Sequence, residues 1–271
     1  MNDLLKDVSV TFLSLALISG LARHRAEHAI IHDMSRQVTG GELHADVKPK
    51  GLLGLLVGSS KETLVSGRHI NFESSPFKIS KGTGLRANVD LLKLDFNEIS
   101  VRGIPVKSLH LEIPSVSLDV VRAFVDERIF VRSAGEGTGR TTVDEHGLEV
   151  FITKKYPQIN SPKVTLADGR VRLQGKFTGF GIPSDLDAIG SLEIVDGRFA
   201  NLVSTTITLN GKPVVGPFMQ SMLKMVNPVI DVDKDLGMGG TFYALSVEIR
   251  NGAATVYGKA TVPAPLEEGV K

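Results

Sequence analysis

The 271-residue chain contains no cysteine and no tryptophan. Without cysteine it has no disulfide, no thiolate metal ligand and no cysteine nucleophile, and a chain of this length folds without such staples. Aromatic residues make up only 6%, which weighs against a sugar-binding or base-stacking platform, because those lean on Trp and Tyr. An excess of one charge sign is missing as well. Lys and Arg number 31 against 30 Asp and Glu, a formal charge of +1, whereas a nucleic-acid binder shows a clustered basic surplus. Nucleic acid is therefore not an expected partner, and a local basic patch for anionic lipid headgroups remains compatible with the balance.

A long hydrophobic run is also lacking. Val8 to Ala22 (VSVTFLSLALISGLA) carries no charge but falls short of the ~20 residues of a spanning helix. It suits the apolar region of a signal peptide, with small residues Gly20 and Ala22 before Arg23. Its flanks fit less well: Asp3 and Asp7 surround Lys6, while Arg23 and Arg25 follow, a bias that in an uncleaved anchor holds the next domain inside. Residues 1–25 are thus read as a signal peptide, an anchor or a packed helix, which implies membrane association without fixing the side.

What is present is an ordinary globular composition, 42% hydrophobic and 23% charged. Ala26 to Val38 reads as a helix, with Ala26, Ile30, Met34 and Val38 near one face, stopped by Gly40-Gly41. Period-two alternation then takes over. Leu43, Ala45 and Val47 form one set; Leu85, Ala87, Val89 and Leu91 a second; Leu109, Leu111 and Ile113 a third. Each describes a strand with one buried and one wet face. Pro105 and Pro114 bracket the third set, and proline's missing N–H leaves the strand count open there.

The second half carries stronger punctuation. Asp168-Gly169 lies between Val164/Leu166 and Val171/Leu173, and Asn251-Gly252 between Leu245/Val247/Ile249 and Ala254/Val256; Asp196-Gly197 and Asn210-Gly211 end two further runs. Such dipeptides between alternating runs are strong hairpin signals. Gly169 to Lys176 and Gly252 to Lys259 share a template, one hairpin geometry used twice. Three more helices are expected: Leu118 to Asp126; Thr142 to Tyr156, opened by a Thr142/Glu145 capping box; and Pro217 to Val226, with proline at its first position. No linker or composition shift divides residues 26–265, so one domain is expected there, with residues 266–271 as a tail.

Motifs for chemistry are weak. His24-Arg25-Ala26-Glu27-His28 places two imidazoles one helical turn apart as in inverted zinc peptidases, but nothing else in the chain reads as a protease, and a solvated helix face accounts for it. Asp231 to Asp235 looks like the start of a calcium loop, yet Leu236 and Phe242 occupy positions that need Gly and Glu. Gly135 to Arg140 lacks the strand-to-helix context of a phosphate loop and is read as a mobile surface loop. There is no G-x-S-x-G motif. No catalytic residue, metal site or cofactor is assigned, and the chain is not expected to be an enzyme.

The order of signals resembles the LmeA-like family of bacterial phospholipid-binding proteins, relatives of the tubular lipid-binding (TULIP) domains. The residues that carry the resemblance are GELHADV, then GLLGLLVGSSKETLVSG, TTVDEHGLEVFITKKYP, PKVTLADGRVRLQG, SLEIVDGRFA and SVEIRNGAATVYGKA. The resemblance spans most of residues 26 to 262. It implies an α+β fold in which a curved antiparallel sheet wraps around a few helices as a TULIP-like half-barrel, with a phospholipid or other lipid in an apolar groove, in the periplasm or cell envelope.

The residues admit that reading alongside a plainer one. Phe218, Met219, Met222, Leu223, Met225 and Val226 crowd one helix, and flexible thioethers suit irregular apolar surfaces. Together with Leu148 and Ile152 they are the candidate groove lining; ordinary core packing is the alternative. Leu52, Leu53, Leu55 and Leu56, near Lys48, Lys50 and Lys61, are a candidate membrane-docking loop or a short cap on the core. The expected function is non-catalytic lipid binding or transfer at a membrane. The alternative is a membrane-tethered scaffold that uses the same fold to hold a protein partner.

Overall fold

The computed structural model describes residues 23–36, 38–51, 54, 59–73, 78–79, 85–119, 130–179, 182–236 and 241–261. The calls on residues 1–22 and on Leu52, Leu53, Leu55 and Leu56 lie outside the described residues. A helix, α1 (residues 23–35), leads into β1 (Val38–Thr39), β2 (Glu42–Pro49), β3 (Ser60–Arg68), β4 (Asn71–Phe72) and β5 (Lys78–Ile79). Next come β6 (Arg86–Val101), β7 (Ile104–Asp119), β8 (Phe130–Ser133) and β9 (Gly137–Asp144). All of these strands belong to one sheet.

Helix α2 (Glu145–Lys155) then starts a second unit of structure: β10 (Ile159–Ala167), β11 (Arg170–Phe177), β12 (Ser184–Val195), β13 (Phe199–Leu209), β14 (Lys212–Pro213), α3 (Gly216–Val226), β15 (Ile230–Asp231) and α4 (Val232–Asp235). The chain finally returns to the first sheet through β16 (Phe242–Arg250) and β17 (Ala253–Ala260). The second sheet runs β10-β11-β12-β13-β14, with β15 also on β13, and every pair is antiparallel. It curls into the half-barrel of the expected α+β class. The first sheet has eleven strands and is mixed, since β3 and β4 pair parallel with β6, and β5 with β8. The alternation pattern alone did not separate these two sheets.

The turn dipeptides explain the hairpins. Asp168-Gly169 and Asn251-Gly252 both have positive φ at both positions (52° and 73°; 51° and 72°), the type I′ geometry that matches strand twist. Arg102-Gly103 closes the long β6–β7 hairpin in the same way. Pro105 and Pro114 both lie inside β7. They fall outside Ser108–Glu112, where β9 is the second neighbour, and outside Ser117–Leu118, where β8 pairs. There a missing N–H need not break the ladder.

Several local expectations are corrected. Leu118 and Asp119 end β7 and do not start a helix; the rest of that segment lies outside the described residues. Val38 is in β1, past the end of α1. Thr142 belongs to β9 and its hydroxyl meets that of Thr255 (3.0 Å); the N-cap of α2 is Asp144, whose carboxylate accepts from the Gly147 N–H (2.8 Å). The glycine-rich stretch is not a surface loop from Gly137 onward. It is β9, held between β7 and β17, where a side chain on Gly137 would collide with the Glu112 carbonyl and one on Gly139 with Leu111 and Phe242. Leu85 precedes β6 and is exposed. Leu245 is exposed because a bulge between Ala244 and Ser246 puts it out of phase.

Two apolar clusters result. The first, under β6, β7 and α1, contains Ile70, Phe96, Val116 and Val131, all at most 1% exposed. The second joins α2, the concave face of the half-barrel and Met222 of α3, with Ile104, Ile249 and Ala254 of the first sheet at its rim.

Candidate functional site

The half-barrel presents inward alternate residues of its strands, Val171, Leu173 and Phe177 from β11 and Leu186, Ala188 and Leu192 from β12, and a bulge in β13 between Val203 and Thr206 brings Leu202 and Ile207 to the same face. Two helices face them. Helix α2 is placed by a match of spacings. Glu145 and Glu149 are one turn apart, a rise of ~6 Å, close to the ~6.8 Å between alternate strand residues. Their carboxylates accept the backbone N–H groups of Leu166 (2.8 Å) and Val164 (3.0 Å) on β10, the edge strand. The edge is thereby satisfied, and Leu148, Phe151 and Ile152 are buried beneath.

Helix α3 lies along the far side. The Val214 N–H donates to the Ile207 carbonyl (2.8 Å), and after the helix Asn227 Oδ1 accepts from Leu202 N while its Nδ2 donates to Leu202 O (2.8 and 3.0 Å). Eleven helical residues span ~16 Å, close to the ~17 Å of strand from Ile207 to Leu202. The two ends of α3 are held unequally. At its C-terminal end the Tyr156 hydroxyl donates to the Val226 carbonyl (2.9 Å). Lys155 Nζ donates to Asp235 (2.6 Å) and to the Val229 carbonyl (2.9 Å). At its N-terminal end Val215 offers no capping side chain and is exposed.

Between sheet and helices is an apolar cavity of about 80 Å³. Among the described residues, Tyr156 and Gln158 are the only polar ones lining it, and the Gln158 amide reaches the Met225 sulfur (3.5 Å). Burial, with a smaller push from Asp235, raises the Tyr156 hydroxyl to about 12, so it stays a neutral donor at physiological pH. The lining offers neither carboxylate nor imidazole, and a void of this kind stays dry and takes apolar guests.

Of the candidate groove residues, Leu148, Ile152, Met222, Met225 and Val226 line this cavity. Met219 and Leu223 pack half-buried against the same cluster without lining it, and Phe218 is exposed one turn before Met222. Tyr156 continues the four-residue spacing of Leu148 and Ile152, whereas the strand residues opposite had no local signal beyond alternation and Gln158, past the end of α2, had none.

The other motifs have structural employment. The Glu27 carboxylate accepts from Arg23 Nε (2.7 Å) and from the Val47 N–H (3.2 Å), tying α1 to β2. Asp231 caps α4 through Asp233 N and Lys234 N and pairs bidentately with Arg198 (both 2.8 Å); chiefly the Arg198 hydrogen bonds hold its carboxyl at about 2. Among the described residues no helix is long and apolar enough to cross a membrane.

A family model described as LmeA-like phospholipid-binding matches residues 69–259, which takes in the half-barrel, α2, α3 and the cavity. No curated protein and no solved structure matches the chain.

Proposed function

The chain belongs to the LmeA-like phospholipid-binding family, and from that premise we propose that the cavity beneath α3 is where it holds phospholipid acyl chain, without catalysis. The observation that carries the reading is the pairing of an almost wholly apolar wall with a covering helix that turns two methionines toward it. Met222, Met225 and Val226 face Leu148, Ile152 and the strand residues across the void, and thioethers re-pack readily around a flexible guest. A diacyl phospholipid is far larger than 80 Å³, so loading requires α3 to swing outward. The unequal anchoring of its two ends supports that motion: the C-terminal end is bonded to Tyr156, Lys155 and Leu202, and the N-terminal end lacks a cap. In this reading the protein works at a membrane of the cell envelope, as a carrier that exchanges lipid with the bilayer.

The test is native mass spectrometry of the full chain after gentle purification, with Ala188→Phe as the comparison. Ala188 lines the void and is buried, so the added ring fills it at a stability cost of about 1–3 kcal/mol. Copurified phospholipid in the wild type, depleted in the filled variant, is the expected result. Wild-type protein that carries no lipid and takes none from detergent micelles would refute the reading.

A further inference from the structure

Large exposed apolar residues gather around the N-terminal end of α3. Ile182 and Val215 are each 74% exposed and Phe218 is 40% exposed. Hydrogen bonds tie the segments that carry them. Asn210 Oδ1 accepts from Asp185 N (2.8 Å), Asn210 Nδ2 donates to the Ser184 hydroxyl (3.3 Å), and that hydroxyl donates to the Ile182 carbonyl (3.4 Å). From Asn210 the short strand β14 leads through Val214 directly to Val215 and α3. This end of the half-barrel therefore brings together Ile182 just before β12, the Asn210-Gly211 turn and the start of the helix.

Phe218 stands four residues before Met222, on the same side of the helix. Met222 points into the cavity, so the apolar strip on α3 continues from the buried void out to solvent. An exposed cation accompanies it: Lys212 on β14 carries no ion pair among the described residues. Lys176, by contrast, is neutralised by Asp185 (2.7 Å).

We infer that Ile182, Val215 and Phe218, with Lys212, form a face that docks on the surface of a bilayer containing anionic phospholipid and through which the cavity loads. Two features select a membrane as the occupant: the continuity of the apolar strip with the lipid cavity, and Lys212, which has no ion pair among the described residues and suits a phosphate headgroup. The inference rests on the lipid-holding role of the cavity, and it places contact with the bilayer at the helix end that carries no side-chain cap. Val215 and Phe218 enter the interface at the uncapped end of α3 while Asn227 and Tyr156 hold its other end.

The absence of tryptophan gives a direct test. F218W places a single reporter on this face, and L245W places one on the exposed bulge of β16. Residues 1–22 are common to both, so their contribution cancels in the comparison. Vesicles of phosphatidylcholine with phosphatidylglycerol are expected to blue-shift the emission of F218W and leave L245W unchanged. V215S is expected to weaken vesicle co-sedimentation by about tenfold while the protein still accepts phospholipid from detergent micelles. K212E is expected to weaken binding to phosphatidylglycerol vesicles and spare binding to phosphatidylcholine alone. An unshifted F218W, an equal shift in L245W, or vesicle binding indifferent to V215S overturns the docking face. Loss of lipid uptake from both micelles and vesicles by the wild type would instead refute the cavity's role, so the two failures are distinguishable.

Discussion

The two sheets are written in the same alternating pattern and end in different states. In the first, Leu109, Leu111 and Ile113 of β7 and Phe96 of β6 are all buried, and the Phe72 and Phe96 rings meet edge to face at 5.2 Å. In the second, Val171 and Leu186 are buried but Leu173, Leu192, Leu202 and Ile230 remain partly exposed around a void. Strand chemistry does not make the difference. The first sheet is folded over its own long hairpin and a helix whose Met34 is buried; the second is closed by a helix of which only Met222 is buried. A half-barrel becomes a groove when its cover is held more firmly at one end than at the other.

The largest test of that contrast is mutational. Phe96→Ala removes a ring that is 1% exposed and is expected to cost about 3–5 kcal/mol. Leu173→Ala, beside existing empty space, is expected to cost about 2 kcal/mol or less. Urea midpoints at constant m-value read both, and equal costs would mean that the half-barrel is packed as tightly as the first core. Next in size, saturating phospholipid should raise the stability of the wild type, by about 2.7 kcal/mol at a hundredfold excess over Kd. The Ala188→Phe variant should gain much less, as thermal melts with and without lipid would show.

Acid should separate the regions further. Arg198 lowers the Asp231 carboxyl from its ordinary 3.8 to about 2, so the folded state binds that proton less tightly than the unfolded chain. The ion pair's contribution is full above about pH 4 and is lost as pH falls toward 2. Asp231→Asn is expected to flatten the melting-temperature profile across that window and to leave the slope above pH 5 alone. The smallest effect is expected from Tyr156→Phe. It removes one hydrogen bond at the fixed end of α3, about 0.5–1.5 kcal/mol, and should speed release of a fluorescent phospholipid to acceptor vesicles. Unchanged release would place the moving part elsewhere.

Much of this architecture was legible residue by residue. Asp168-Gly169 and Asn251-Gly252 determined two hairpins because only small or αL-tolerant residues take positive φ in sequence. Pro217 and Pro228 bracketed α3, and Leu148 and Ile152 marked the buried face of α2. The failures came where long-range contacts overruled local signals. Thr142-Val143-Asp144-Glu145 satisfies a capping rule, but β17 claims Thr142 and β10 claims Glu145. Gly137 and Gly139 look like a loop because close approach between strands also demands glycine.

The sequence by itself determined the α+β class, the turns, the helical faces and the lack of thiol chemistry, since each depends on neighbours within a few positions. Only the tertiary structure decided which apolar face is filled and which is hollow. A void is a property of the distance between elements, and here Asn227, Tyr156 and Lys155 set that distance at one end of α3 while its N-terminal end goes uncapped.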